Sequence, residues 1–141
     1  RLLAKLAPLV HRFDVVLIDC PPSVSLVSEA VLRAVHALLV PVIPSTLSMR
    51  TLGQVRRFVA DEQKNPPQLM PFLSMVERRK TMHRQITDLC LAQPEFLRTA
   101  ISTASVVEKM GLSRAPVAAT LPSHPIARAY ASLWQEVEHR L

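Results

Sequence analysis

Glycine is scarce in this sequence, and the motifs that depend on it are absent. Only Gly53 and Gly111 occur in 141 residues, where average usage would give about ten. Phosphate-binding loops of the GxxxxGK[ST] and GxGxxG types need several glycines close together, because the backbone itself approaches the phosphate oxygens. Neither glycine is followed by lysine. The chain therefore supplies no phosphate cradle of these types.

Cysteine, aromatic residues and long apolar runs are also limited. Cys20 and Cys90 are far apart, with no CxxC pair and no Cys/His cluster at metal-ligand spacing, so no zinc site is indicated. Such cysteine usage is typical of a reducing, cytosolic compartment. The longest apolar run, HALLVPVIP, is broken by prolines and falls short of the roughly 18 residues that a membrane helix needs. The first residue is Arg and no signal peptide is apparent, so we expect the chain to begin inside a longer protein.

Alternation of apolar strands with amphipathic helices predicts an α/β fold built from parallel βαβ units. Two continuous apolar runs, 15–19 and 37–43, predict strands that are buried on both faces. Less continuous apolar segments predict three further strands, at 69–76, 96–101 and 115–120. Helical periodicity predicts helices over 2–13, 25–36, 48–63, 81–93 and 123–141.

One carboxylate ends the first predicted strand. Asp19 follows four aliphatic residues and precedes Cys20, Pro21 and Pro22. In open parallel sheets, ligands bind outside the carboxyl ends of the strands. A carboxylate there suits Mg²⁺, which keeps part of its water shell and takes one or two carboxylates together with phosphate oxygens. The pattern is also compatible with an acid that caps the following helix.

The sequence carries one dense cluster of positive charge, within a chain of formal net charge +6. Arg78, Arg79, Lys80 and Arg84 fall within seven residues, with His83 between them. Such a cluster is either a solvated face or a surface that binds phosphates. With one Trp, one Tyr and four Phe in the chain, stacking of single-stranded bases on aromatic rings is a poor alternative.

The order of these segments resembles the second half of the ParA/MinD family of deviant Walker ATPases. In that family a (F/Y)D-aliphatic-IDxPP segment forms the Walker B strand and the second switch region, as FDVVLIDCPPSVSLVSEAVL followed by ALLVPVIPSTLSMRTLGQV does here. The likeness continues through FLSMVERRKTMHRQI, TAISTASVVEKMGLSRAPV and IARAYASLWQEV, and covers nearly the whole chain. Within the family, the sequence resembles the ParA-type chromosome and plasmid partition ATPases.

The resemblance implies a P-loop NTPase-like fold that is incomplete: a doubly wound, mostly parallel sheet with helices on both faces. Residues 1–141 would form the C-terminal portion of a single nucleotide-binding domain, because the family's KGGVGKT loop and first switch lie upstream. The family's first strand would lie between 15–19 and 37–43, which leaves a gap in the sheet. Phosphoryl transfer needs the amides and lysines of the missing part. We therefore assign no catalytic residue and expect the isolated 141 residues neither to bind ATP tightly nor to hydrolyse it.

For the first candidate site, the resemblance implies a role at the phosphates. Asp19 would be the Walker B acid that supports Mg²⁺, through water. Cys20, Pro21 and Pro22 would belong to the switch that senses the γ-phosphate. ATP and Mg²⁺ are thus the cofactors implied for the full-length protein.

For the second candidate site, the resemblance implies contact with the nucleotide base. Met75, Val76 and Glu77 would lie near the base, and Ser102 would close over it from the other side. Relatives usually carry Ile-Pro where this chain has Ile101 followed by serine. Ordinary strand packing is the alternative role for the Met-Val pair.

The function implied is that of an ATP-dependent partition switch in the cytoplasm, associated with the nucleoid. ATP would drive homodimerisation, the dimer would bind double-stranded DNA without sequence preference through the basic cluster, and a ParB-like partner would trigger hydrolysis and release. The alternative is a non-catalytic DNA-binding or interaction module derived from this fold. A MinD-like membrane ATPase is disfavoured, because the terminus ASLWQEVEHRL carries two Glu and lacks a strongly basic amphipathic helix. A metal-cluster ATPase would require a cysteine motif that this sequence lacks.

Overall fold

A computed structural model describes residues 7–9, 11–20, 30–62 and 65–141 of the chain. Short helical stretches at 7–9 and 30–32 fall within predicted helices. The longer elements follow in the order β1 (Ala37–Val42), α1 (Thr46–Glu62), β2 (Gln68–Leu73), α2 (Thr81–Leu91), α3 (Ser105–Glu108), α4 (Met110–Ser113), α5 (Val117–Thr120) and α6 (Pro125–Arg140). None of the helices in these described ranges is long and apolar enough to cross a membrane.

β1 and β2 form a two-stranded parallel sheet, in register from Ala37 beside Gln68 to Val42 beside Leu73. Both strands are apolar throughout their middle, as strands covered on both faces are, and α1 connects them. The predicted strands at 37–43 and 69–76 are thus confirmed, with ends shifted by one to three residues. The α/β class is confirmed as well, as a parallel sheet flanked by helices that is consistent with an incomplete P-loop NTPase-like fold.

Alternate residues of the strands enter two separate hydrophobic clusters. On one face, Met70 and Phe72 pack with Leu39 and with the apolar stripe of α6. On the other face, Val42 and Leu73 pack with residues of α1 and α2. Because strand side chains alternate between faces, helices on both sides of one thin sheet are the expected result. The prediction of helices on both faces therefore holds.

The predicted strand at 15–19 is wrong in this structure. Residues 15–19 have no regular secondary structure, and Leu17 is 70% exposed. A strand needs a neighbour to satisfy its N–H and C=O groups, and no described segment pairs with this one. The apolar run is present, but no strand among the described residues lies beside it.

The predicted strand at 96–101 is also wrong. Beside β2, residues 96–101 make only scattered bonds, from Leu97 N–H to the Pro71 carbonyl (2.9 Å) and from Ile101 N–H to the Leu73 carbonyl (2.8 Å). The intervening amides of Arg98 and Thr99 donate to a side chain of α6 instead (2.5 and 2.7 Å), so no ladder forms.

The segment predicted as a fifth strand is the short helix α5. Pro116 is its N-cap residue, with the extended backbone that the position needs, and alanines follow in the turn itself. Alanine has the highest helix propensity. The short apolar run was therefore a helical turn, because a run of this length does not distinguish the two structures.

α6 confirms the predicted C-terminal helix. Pro125 occupies the first turn, and the cap is His124, whose Nδ1 accepts from Ile126 N–H at 3.2 Å. The buried residues of the helix are Ile126, Ala127, Leu133 and Val137, whose spacing places them on one face. This helix covers one face of the sheet.

Candidate functional site

The carboxyl ends of β1 and β2 meet at one edge of the sheet. The strands run parallel and stop together, at Val42 and Leu73. One more ladder bond follows, from Ser74 N–H to the Val42 carbonyl at 2.9 Å. Residues 43–45 and 74–77 therefore lie at the same edge, which is where open α/β sheets bind their ligands.

The loop after β2 is fixed by the segment that precedes α3. Val76 is buried and bridges Ser102, accepting from Thr103 N–H (3.1 Å) and donating to the Ile101 carbonyl (3.1 Å). Met75, next to it, has a φ of 54°, a left-handed conformation that costs a non-glycine residue on the order of 1 kcal/mol. The structure thus brings together the two loops predicted to flank a nucleotide base. Contact with a base stays a prediction.

The loop continues into a β-turn with two arginines at its centre. The N–H of Lys80 donates to the Glu77 carbonyl at 3.0 Å, so Arg78 and Arg79 take the two central positions of the turn. The side chains of the corner residues also pair, with Lys80 Nζ 2.6 Å from Glu77 Oε1. That hydrogen bond lowers the pKa of the Glu77 carboxyl, and the charge of Lys80 adds to the effect.

All four cations of the predicted basic cluster are brought together and exposed. Three lie in the turn and the fourth, Arg84, is one turn into α2. Lys80 is the N-cap residue of α2, so the positive end of the helix dipole faces the same region. The arrangement combines side-chain charge with the first N–H groups of α2, which the side chain of Lys80 does not cap, and both attract anions.

Sequence reasoning missed the structural role of His83. This side chain is 6% exposed, and its Nδ1 accepts from Glu77 N–H at 3.1 Å. The periodicity of α2 carried the signal, because Ile86 and Cys90 follow at spacings of three and seven residues and share the buried face. Burial also raises the pKa of the Cys90 thiol, which keeps it protonated and inert.

The other predicted site lies partly outside the described residues. Asp19 and Cys20 are exposed, and Cys20 Sγ lies 3.7 Å from the Ile18 carbonyl. Pro21 and Pro22 are among the residues that the structure does not describe. Across the described ranges, no hydrogen bond or ion pair joins Asp19 to the loop after β2, and no group of three potential metal ligands occurs. One accessible carboxylate fits a water-mediated contact with Mg²⁺ and supplies no further ligand.

Known protein families and curated proteins include relatives of this chain. A family model described as an AAA domain matches residues 1–74, which is more than half of the chain. The chain belongs to this AAA domain family. A ParA family protein of Chlamydia trachomatis serovar D is 26% identical over 141 residues, an alignment that covers 97% of this chain and 55% of that protein. The chain thus spans about half the length of the curated relative that it matches.

The resemblance to ParA-type ATPases is therefore confirmed at the level of the family. The matched part of this AAA domain includes Asp19, Cys20 and both strands, whereas the basic turn and Ser102 lie beyond it. Membership of the family implies a nucleotide and Mg²⁺ in general.

Proposed function

We propose that this chain is the DNA-facing part of a ParA-like, ATP-dependent partition switch. The observation that carries the proposal is the β-turn, which presents Arg78 and Arg79 together with Lys80 and Arg84 at one end of α2. Three exposed cations in the turn and a fourth in the first turn of α2 concentrate positive charge on one small surface, which favours phosphate binding.

The charge balance of this loop supports phosphate binding. Among the described residues, the only ion pair in the cluster joins Lys80 to Glu77. Exposed pairs of this kind are weak, so Lys80 can still contact a phosphate together with Arg78, Arg79 and Arg84. Each phosphate neutralised by such a cation releases condensed counterions, which makes the affinity strongly dependent on salt and independent of base sequence. Taken with the likeness to ParA family proteins, this charge supports double-stranded DNA, bound without sequence preference, as the partner.

In the proposed cycle, ATP binding drives homodimerisation and the dimer binds nucleoid DNA. Asp19 would hold Mg²⁺ through water, and Cys20, Pro21 and Pro22 would form the switch. Met75, Val76, Glu77 and Ser102 would hold the base. A ParB-like partner then stimulates hydrolysis, and DNA is released.

Replacement of the turn cations tests DNA binding. With Arg78, Arg79 and Lys80 changed to Ala in the full-length protein, we expect the affinity for a short duplex of arbitrary sequence to fall at least tenfold at about 50 mM salt. For the unmodified protein, neutralisation of four phosphates predicts an affinity loss of about a hundredfold between roughly 50 and 200 mM salt. In the variant, the slope of log affinity against log salt falls by roughly 2.7, since about 0.9 is lost for each cation.

A matched control distinguishes an effect of the basic cluster from an effect of net charge alone. Replacement of Arg57, Lys109 and Arg128 by Ala removes three exposed cations outside the turn, and we expect it to leave the salt slope near the unmodified value. A flat salt response of the unmodified protein, or equal losses in both variants, would reject the turn as the DNA site.

The second experiment separates the switch from the alternative, a non-catalytic DNA-binding module. The 141-residue chain has no phosphate loop, so we expect neither tight ATP binding by calorimetry nor phosphate release. The coding sequence upstream of Arg1 is the decisive observation. A KGGVGKT-like segment there, with DNA binding by the full-length protein that requires ATP, supports the switch. DNA binding that is indifferent to ATP supports the module.

A further inference from the structure

A buried histidine ties the arginine turn to the helix that follows it. His83 is the third residue of α2, is 6% exposed, and accepts the N–H of Glu77 on its Nδ1 at 3.1 Å. An imidazole nitrogen that accepts a hydrogen bond carries no proton, so the proton of the neutral ring is on Nε2. The first corner of the turn is therefore held by a side chain of α2.

The other anchors leave the two arginines little freedom. At the second corner, Lys80 donates its N–H to Glu77 and is also the N-cap residue of α2. Upstream, Val76 is bonded on both sides to the segment 101–103. Only Arg78 and Arg79 lie between the two corners, so their backbone direction is determined by where the corners are held.

We propose that His83 is a positioning residue for phosphate binding, whose Nδ1 fixes the Glu77 corner so that Arg78 and Arg79 project together toward one DNA backbone. This inference rests on the proposed function. Groups that are held in place before binding lose less entropy when the ligand arrives. His83 contributes through the turn and contacts no phosphate itself.

Two substitutions separate the acceptor from the volume of the side chain. His83→Asn keeps an acceptor, Oδ1, close to the position of Nδ1, whereas His83→Leu fills the buried space without one. We expect His83→Leu to weaken the affinity of the full-length protein for duplex DNA about three- to tenfold, as the loss of one hydrogen bond predicts. His83→Asn should stay within about twofold of the unmodified protein. A role in packing alone would give the reverse order, because Leu replaces more of the buried apolar contact.

A double-mutant cycle shows whether the effect acts through the arginines. In the protein that already carries Ala at positions 78, 79 and 80, His83→Leu should cause no further loss of affinity, because the groups that it positions are gone. His139→Leu, at an exposed histidine of α6, is the matched control and should leave the affinity unchanged. An undiminished His83→Leu effect in the triple variant overturns the proposal.

Hydrogen exchange of the Glu77 amide gives a readout that needs no DNA. We expect its exchange rate to rise roughly tenfold in His83→Leu and to stay near the unmodified rate in His83→Asn. If the unmodified protein binds no DNA, the proposed function fails on that result, and the exchange rates still decide whether His83 holds the corner. Equal exchange rates in both variants, or equal DNA affinities, overturn the positioning role.

Discussion

Leu17 has 70% of its surface exposed, whereas Leu73 is fully buried. Both lie in short apolar runs that the sequence presents in the same way, and both runs lead into residues assigned to the nucleotide site. The difference lies in their neighbours. β2 pairs with β1 on one side and makes scattered bonds to residues 97 and 101 on the other, whereas no described segment pairs with residues 14–20.

The comparison also separates the two parts of the candidate site. Asp19 follows the exposed run and has no hydrogen bond to the loop after β2 among the described residues. The basic turn follows β2, and its backbone is bonded to α2 and to the segment 101–103. A charged group gains a defined direction only where the backbone that carries it is held.

The largest expected effect is a difference in the free energy of unfolding when one leucine of each run is changed to alanine. Leu73→Ala should lower the free energy of unfolding by about 2–5 kcal/mol, because it removes a buried side chain and leaves a cavity. Leu17→Ala should change it by no more than about 0.5 kcal/mol, as at other exposed positions. Urea titration of both variants measures the difference. A cost at Leu17 comparable to that at Leu73 would show that the first run is buried in solution.

An intermediate effect is expected from the acid of α6 that holds the segment beside β2. Glu136 accepts from the amides of Arg98 (2.5 Å) and Thr99 (2.7 Å). Glu136→Ala should lower the free energy of unfolding by about 1.5–3 kcal/mol, the range for hydrogen bonds to charged groups. Glu138→Ala, at an exposed acid of the same helix, is the control and should cost less than about 0.5 kcal/mol. Equal effects of the two variants would show that Glu136 does not hold the segment beside β2.

The smallest effect concerns the pH dependence of the turn. Because Lys80 lowers the pKa of the folded Glu77 carboxyl, their pairing stabilises the fold above the ordinary pKa of a glutamate and is lost as the pH falls through the lowered value. Lys80→Met should raise that pKa back toward its ordinary value, as followed by NMR titration of the carboxyl carbon. Arg79→Met keeps the pair and serves as the control. An unchanged titration curve in Lys80→Met would count against the pairing.

Apolar periodicity predicted the elements that are covered by neighbours. β2 buries Met70, Pro71 and Leu73, and α6 buries Ile126, Ala127, Leu133 and Val137. β1 is less buried than predicted, since Val42 is buried but Pro41 is exposed. The segments at 96–101 and 115–120 were mispredicted because local apolar character does not say what takes the backbone hydrogen bonds. At 96–101 a carboxylate distant in sequence takes two of them.

The candidate site, too, was predicted only in part. The grouping of the basic cluster followed from spacing alone, since all four cations fall within seven residues. The β-turn and its histidine anchor did not, because a single backbone N–H to Nδ1 contact leaves no pattern in composition. The helical spacing of His83 from Cys90 indicates a buried position, and only the structure identifies the bond made there.

Residues 95–99 lie beside β2, and α6 contacts their backbone. Arg140 donates to the carbonyls of Glu95 and Phe96 (2.8 and 2.9 Å), while Glu136, one helical turn away, accepts the amides of Arg98 and Thr99. Backbone N–H and C=O groups that are left free at the edge of a sheet can pair with strands from other molecules, which leads to aggregation. Two opposite charges on one helix thus occupy backbone groups that would otherwise be free to pair with a strand of another molecule.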